Sequence, residues 1–228
     1  MAMRRLLQQR FHTAVGVAVL TLGLLCFVAA NLFVNYVRSY DTHWSNSERI
    51  YIVAERTRSN GFALMPSFMT STDAPVAEHL RTDVPELAGV ARRLVGQRLV
   101  SFGDRRTPLL AAYVEPQFGE IFDFDVLAGD ARAIANPRSA LITERGAGRL
   151  FGTTEAVGRT ITIAGQQPID VTIAGVVAEL PDQSHMKFGG LFATGFDLLV
   201  SWDALEPLPV MGWGGRAVTT YVLLPQDG

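Results

Sequence analysis

The chain has 228 residues, and its 20 basic and 22 acidic side chains give a formal net charge of −2. This balance lacks the basic excess of nucleic-acid-binding proteins, so no nucleic-acid partner is predicted. The only lysine, Lys187, follows a methionine, whereas a P-loop lysine follows a glycine, so the chain has no P-loop of its own. The only cysteine, Cys26, excludes a disulfide framework and a thiolate metal site.

No metal site or cofactor is predicted from the histidines either. They are scattered along the sequence, without helical pairing and without a neighbouring cysteine: His12, His43, His79 and His185.

The first feature along the chain is an apolar run. Residues 14–37 carry no charge, and a helix of roughly 20 apolar residues crosses the hydrocarbon core of a bilayer. The basic residues before the run are Arg4, Arg5 and Arg10. Because the basic excess lies on the N-terminal side, the positive-inside rule predicts residues 1–12 in the cytoplasm. A transmembrane helix is predicted at 13–37, with the rest of the chain exported.

A cleavable signal peptide is the alternative interpretation of this run. Val28-Ala29-Ala30 has the small residues of a cleavage site. The apolar run continues past it through Leu32, Phe33 and Val34, which is longer than a usual signal core and favours an anchor. Shortly after the run, Trp44 is expected at the headgroup level, where amphipathic aromatic residues collect.

The exported part alternates between short strands and short helices. Strands are predicted at 49–54, 89–95, 98–102, 108–114, 140–143, 158–164, 169–177 and 217–224. Helices are predicted at 74–84, 116–122 and 144–151, the last of them closed by Gly152. Residues 196–202 fit either a strand or a helix start. This order predicts an α+β domain, and its two strand-helix-strand halves, near 49–115 and 116–180, hint at a weak internal duplication.

Three groups of polar or glycine residues contain residue types that enzyme sites use. Asp182, Ser184 and His185 are adjacent in sequence, but a triad is assembled from distant segments, so a polar turn or an exported hydrolase remain the alternatives. The carboxylates Glu115, Glu120, Asp123 and Asp125 alternate with phenylalanines and are typical of an amphipathic edge with solvated charges. Gly146 and Gly148 do not follow the dinucleotide-binding pattern. No catalytic, cofactor-binding or metal-binding residue is predicted.

The aromatic residues of the C-terminal third are candidates for a partner surface. They lie among loops and small residues: Phe188, Phe192, Phe196, Trp202 and Trp213. Aromatic side chains anchor protein interfaces, but the same residues could fill the core of a small subdomain. Gly175, inside the strand predicted at 169–177, is expected at a bulge or a close backbone approach.

Several segments, taken together and in order, resemble a known family. The matching stretches are 47–51, 74–80, 84–87, 117–124, 127–130, 140–144, 150–152, 157–160, 173–177 and 181–185. The phrases Gln117-Phe118-Gly119-Glu120-Ile121-Phe122 and Pro181-Asp182-Gln183-Ser184-His185 are typical of it. The exported part resembles the MacB-like periplasmic core domain found in permeases of the FtsX-like ABC transporter class.

The resemblance implies a division of the exported part into two regions. A porter-like α+β body is expected at 38–183, completed by a strand near 216–225, and a smaller lobe is expected at 184–215. Such permeases continue after a strand like 220–224 into three further membrane helices, so the sequence is interpreted as the N-terminal part of one.

The resemblance also implies a function without enzymatic activity of the chain itself. An inner-membrane permease of this class couples ATP hydrolysis by a cytoplasmic ABC ATPase subunit to export or to mechanical work in the periplasm. The implied partners are that ATPase, a second permease copy or sister subunit, the lipid bilayer and a periplasmic adaptor protein. The alternative is a stand-alone, membrane-anchored extracytoplasmic sensing or adaptor domain.

Overall fold

The computed structural model describes residues 10–57, 67–187, 195–204, 212–215 and 217–226. The chain forms two compact units, Met1–Thr42 and His43–Gly228.

The first unit is built on one long helix, α1 (Arg10–Arg38). Its 29 residues extend over roughly 43 Å at 1.5 Å per residue. From His12 to Arg38 it is long and apolar enough to cross a membrane, and none of its most apolar stretch is buried by the protein. Two polar side chains bond back to the helix: Thr21 Oγ1 donates to Val17 O at 2.8 Å, and Asn31 Nδ2 donates to Phe27 O at 3.0 Å. In a bilayer, these bonds would lower the cost of placing the two polar groups in hydrocarbon.

The second unit mixes strands and helices, as predicted. Its strands are β1 (Ile50–Ile52), β2 (Glu55–Thr57), β3 (Ser67–Met69), β4 (Gly89–Phe102), β5 (Arg105–Val114), β6 (Val126–Gly129), β7 (Ser139–Thr143), β8 (Thr160–Ile163), β9 (Ile169–Val177), β10 (Leu198–Ser201) and β11 (Thr219–Leu223). Its helices are α2 (Val76–Asp83), α3 (Phe118–Ile121) and α4 (Glu144–Phe151), with 3-10 turns at Ala131–Ala135 and Trp202–Ala204.

Most strands belong to one sheet, whose order is β1-β11-β4-β5-β10-β7-β9-β6. Strand β8 pairs with both β4 and β9, so the pairs β4-β5-β10-β7-β9-β8 close into a ring of six strands. Strands β1 and β11 extend the sheet on one side of the ring, and β6 extends it on the other. The hairpin β2-β3 forms a separate two-stranded sheet.

Side chains along these strands alternate between the two faces of the sheet, so the core is divided into two main clusters. All six strands of the ring contribute to the first, which also receives Ala147 and Leu150 from α4. The opposite face carries the second cluster, in which Phe118 and Ile121 of α3 pack with Tyr221 of β11. Since successive residues of a strand point to opposite faces, one short strand supplies both clusters. In β10, Leu198 and Val200 face the first cluster and Leu199 faces the second.

Helix α4 begins and ends where its capping residues predict. Thr143 Oγ1 accepts a hydrogen bond from Gly146 N at 3.0 Å, and Gly152 closes the helix with a left-handed backbone at φ 75°. Two arginines of the helix fix it to the sheet through the buried Asp197. Arg149 Nη1 lies 2.9 Å from Asp197 Oδ2, and Arg145 Nε lies 3.3 Å from Asp197 Oδ1.

One sequence prediction about strands needs correction. The strands predicted at 89–95 and 98–102 are one continuous strand, β4, in which Gly96 pairs with Ala111 in regular register. Within the smaller lobe predicted at 184–215, strand β10 pairs with β5 and β7. Residues 188–194 and 205–211 of that lobe lie outside the described residues.

Candidate functional site where the chain enters the domain

Three polar side chains of the turn at 182–185 contact different partners. Asp182 Oδ1 pairs with Lys187 Nζ at 2.7 Å, and this hydrogen bond lowers the pKa of Asp182. Ser184 is buried, and its Oγ accepts a hydrogen bond from Met186 N at 3.3 Å. His185 Nε2 lies 3.1 Å from the hydroxyl of the buried Tyr221. These contacts hold the three side chains in the turn.

The four carboxylates between 115 and 125 are not brought together. Glu120 and Asp125 are exposed, as expected for an amphipathic edge, but Glu115 is only 6% exposed. The prediction of solvated charges is wrong for Glu115. Its carboxylate accepts hydrogen bonds from Arg81 Nη2 and Arg92 Nη2, each at 2.5 Å, and from Arg92 N at 2.8 Å.

The Glu115 cluster joins helix α2 to the sheet. Burial alone would raise the pKa of Glu115, but the hydrogen bonds from Arg92 and Arg81 outweigh it and hold that pKa below its ordinary value. Arg92 Nη1 also donates to Ala74 O at 2.9 Å, just before α2 begins, and its guanidinium lies 4.9 Å from the ring centroid of Trp202. The cluster is therefore structural.

Trp44 lies at a place that the sequence did not predict. The expected position was the headgroup level, but the side chain is only 3% exposed and packs in the second core cluster. Its ring meets those of Phe122 and Phe124 edge to face, with centroid distances of 5.0 and 5.3 Å. Such pairs each contribute about 1 kcal/mol beyond the burial of area. A tryptophan just after an apolar run is compatible with the headgroup level and with a protein core. The contacts with Phe122 and Phe124, which are distant in sequence, place its side chain in the core.

Three sets of contacts fasten residues 43–49, here called the entrance segment, to the domain. The first is the packing of Trp44. In the second, Ser45 N donates to Asp123 Oδ1 at 3.0 Å, and Ser45 Oγ also donates to the Asp123 carboxylate. In the third, Arg49 Nη1 donates to Leu224 O at 3.1 Å, and Leu224 N donates to Arg49 O at 2.9 Å. The beginning of the domain is thus bonded to the end of its last strand.

A cleft of about 250 Å³ lies beside the entrance segment. Its lining consists of His43, Trp44, Asp123, Phe124, Asp125, Ala178, Glu179, Leu180 and Pro181. Two of its three carboxylates already have partners in the protein, since Asp123 accepts from Ser45 and Glu179 lies 3.3 Å from Arg145 Nη2. The cleft marks the border between the entrance segment and the body of the domain.

The close approach expected at Gly175 is confirmed. A Cβ on Gly175 would lie 3.1 Å from Ala128 O and 3.1 Å from a methyl group of Leu141. Opposite it, Gly129 has φ +82°, and a Cβ there would lie 2.2 Å from Ala174 O. The pairings of β9 with β6 and with β7 both shift register near this point. Because Gly129 and Gly175 have no Cβ, β6 can approach β9 closely where the register shifts.

The aromatic residues of the C-terminal third fall into different environments. Phe196 is buried in the second core cluster, and Trp202 is partly buried. Trp213 is 66% exposed, with its ring 5.5 Å from that of His79. Phe188 and Phe192 lie outside the described residues. Among the residues that the structure describes, no group of three or more His, Cys, Asp or Glu side chains could hold a metal ion.

Comparison with known families decides the assignment. The family of MacB-like periplasmic core domains matches residues 13–227, nearly the whole sequence. The chain belongs to this family. No curated protein matches the sequence.

Solved structures agree with the fold of a MacB-like periplasmic core domain. A domain of a presumed permease protein from Porphyromonas gingivalis is 21% identical, with a TM-score of 0.63 over 82% of this chain and 78% of its own. The periplasmic region of MacB from Actinobacillus actinomycetemcomitans is 11% identical, with a TM-score of 0.54 over 84% of this chain and 79% of its own. At these identities the likeness establishes the mixed helix and strand fold.

Proposed function

We propose that this chain is the membrane-anchored periplasmic domain of an ABC transporter permease, which couples ATP hydrolysis by a cytoplasmic partner to export or mechanical work outside the membrane. The membership in the MacB-like family supports this proposal. So does α1, a helix with the length and composition of a membrane span. The chain itself has no catalytic role in the proposal, since the ATPase is a separate subunit.

The observation that carries the proposal is that the domain begins and ends at the same place. Strand β1 pairs with β11, with Ile50 opposite Leu223, and Arg49 exchanges hydrogen bonds with Leu224. A domain with adjacent ends can be inserted between two membrane segments without disturbing either. In the proposed permease the chain leaves the membrane through α1 and returns to it after β11.

The proposed mechanism needs two states of the assembly. ATP binding and hydrolysis can shift an assembly between states only if some contacts differ in free energy between them. We propose that two permease copies, or this one and a sister subunit, change their approach when the ATPase closes on ATP. The periplasmic domains would follow the membrane helices and act on a substrate or an adaptor outside the membrane.

The orientation is tested first, with the positive-inside prediction as the expected outcome. Cys26→Ser removes the only thiol of these 228 residues, and Asp104→Cys then places one at the exposed turn between β4 and β5. A membrane-impermeant maleimide should label Asp104→Cys in spheroplasts, whereas Gln8→Cys should be labelled only after the membrane is opened. The reverse labelling pattern would contradict the proposed orientation.

The ATPase partner is tested by purifying the native full-length protein from its own membranes under mild detergent. The proposal expects a subunit that binds and hydrolyses ATP to co-purify in a fixed ratio. A fully extracted, folded protein that brings no ATPase with it would contradict the proposal and favour the stand-alone sensing or adaptor domain.

A further inference from the structure

Arg93, in strand β4, is a buried cation to which the described residues supply no anion. It is 5% exposed, and no described residue accepts a hydrogen bond from its Nε or Nη1. The ring of Tyr221, centred 6.0 Å from Cζ, lies at the outer limit of a cation–π contact. Burying a charge without a partner costs a large free energy. A negatively charged group would therefore stabilise the guanidinium of Arg93.

The lack of a partner is specific to Arg93, because the arginine beside it is paired. The buried carboxylates among the described residues are Glu115 and Asp197, and each lies within 3.3 Å of two other arginines. Arg92, the residue before Arg93 on the other face of β4, pairs with both Glu115 and Glu78. In the part of the chain that the structure describes, the fold thus provides carboxylates for Arg92 and none for Arg93, one position along.

A second polar side chain without a described partner lies on the same face of the sheet. Arg93 is paired with Val114 of β5, which is paired with Ser201 of β10. Directly opposite residues of neighbouring strands point to the same face, and Val114 belongs to the second core cluster. Ser201 is fully buried, and no described residue bonds to its Oγ. Since adjacent strands are about 4.8 Å apart, the Cα atoms of Arg93 and Ser201 lie roughly 10 Å apart, on either side of Val114.

This row of residues lies at the border of the sheet. Strand β5 ends at Val114, and the parallel strand β10 ends at Ser201. On the other side of β4, strand β11 begins at Thr219, which is paired with Arg93. Three of the four strands in the row therefore end or begin there. Ligand sites are common where strands give way to connecting segments.

We propose that Arg93 binds an oxyanion, the carboxylate or phosphate group of a small ligand, with the Ser201 hydroxyl as a further donor. The Nε of an arginine carries one N–H and Nη1 carries two, so three donors of Arg93 can bond to such a group. The planar guanidinium matches the geometry of carboxylate and phosphate oxygens. This site goes beyond the proposed function and does not depend on it, because binding here needs no ATPase.

Direct binding is measured by titration calorimetry on the full chain in detergent, with succinate and inorganic phosphate as separate probes against a chloride background. The protein should bind at least one of them, and the probe that binds identifies the group as a carboxylate, a phosphate or either. Arg93→Met should weaken binding at least about tenfold, because charge-assisted hydrogen bonds are lost. Arg106→Met, which removes an exposed arginine of β5, is the matched control and should bind as the wild type does.

Two further variants test the chemistry of the site. Arg93→Lys keeps the charge but loses the planar fork, so its binding should be weaker than that of the wild type and stronger than that of Arg93→Met. Ser201→Ala removes the second donor and should weaken binding about fivefold, the usual scale of a neutral hydrogen bond. Unchanged affinity in Ser201→Ala would contradict the role of that hydroxyl.

Thermal unfolding separates a binding site from a structural arginine. With chloride as the only added anion, Arg93→Met should unfold at a higher temperature than the wild type, because an apolar side chain replaces an unpaired buried charge. The probe that binds should raise the unfolding temperature of the wild type and not that of Arg93→Met. The site would be overturned by a wild type that binds neither probe, by an Arg93→Met that is less stable without a probe, or by equal protection of the two proteins.

Discussion

At the scale of single residues, the side chain of Glu115 bears directly on stability. It is buried, and it compensates the charges of Arg81 and Arg92 at the junction of α2, β4 and β5. Removing one partner from a buried ion cluster leaves an uncompensated charge in a poorly solvated place. The sequence showed a carboxylate among phenylalanines but not its two arginines, which lie 34 and 23 positions earlier in the chain.

Glu115→Gln should therefore lower the free energy of unfolding by about 3 kcal/mol. The measurement is denaturant unfolding of the full chain in detergent, followed by tryptophan fluorescence. Glu120→Gln, an exposed carboxylate on the neighbouring helix α3, is the control and should change stability by less than about 0.5 kcal/mol. Equal effects of the two substitutions would contradict the account of the cluster.

The same residue predicts a pH dependence with a definite sign. The pKa of Glu115 is lower in the folded protein than its ordinary value of 4.5, so its contribution is fully present above that value. It is lost as the pH falls through the lower, folded-state pKa. The stability difference between wild type and Glu115→Gln should thus shrink on acidification from neutral pH to about pH 3. A difference that stays constant or grows in acid would show that the carboxylate is not stabilised by its arginines.

At the scale of elements, replacing a glycine by alanine should change stability in opposite directions in strand β6 and in helix α4. Gly129 occupies a left-handed position where a side chain would collide with Ala174 O, whereas Gly148 is exposed on α4 with nothing near its missing Cβ. Gly129→Ala should destabilise the protein by about 2 kcal/mol or more, from backbone strain and collision. Gly148→Ala should stabilise it by about 0.5–1 kcal/mol through helix propensity. Thermal unfolding of both variants checks the signs, and a neutral Gly129→Ala would contradict the described approach of β6 to β9.

Elements with local signals were predictable from the sequence, and those without were not. Helix α4 is framed by Thr143 and Gly152, two capping residues that act within a few positions, so its predicted bounds, 144–151, are confirmed. The sequence predicts two strands separated at Gly96 because glycine weakens a strand, but Gly96 pairs with Ala111 and β4 is continuous. The central position of β10 depends on pairing with β5 and β7, which no local pattern specifies.

The candidate site was predictable only in its parts. The sequence named Trp44 and Asp123 separately, one as a headgroup aromatic and the other as a solvated charge. Their meeting depends on the fold, because 78 positions separate Ser45 from the carboxylate that holds it. A signal that could have suggested it is the phrase Phe122-Asp123-Phe124, in which an acidic residue stands between two aromatic residues of a core.

At the scale of the whole molecule, the chain has an apolar helix and a domain with a ring of six strands, and the two ends of that domain are bonded to each other. Family membership defines the domain as MacB-like and periplasmic. The proposed function couples this domain to ATP hydrolysis. It requires that the periplasmic domains of two subunits change their separation with the state of a cytoplasmic ATPase.

The most direct measurement is the distance between nitroxide labels at Asp104→Cys in the two copies of the native assembly, in the Cys26→Ser background. The account predicts two distance distributions, one without nucleotide and one with vanadate-trapped nucleotide, and a single distribution when the partner ATPase cannot hydrolyse or trap nucleotide. An assembly with bound, active ATPase whose distance distribution is the same in both nucleotide states would contradict the account.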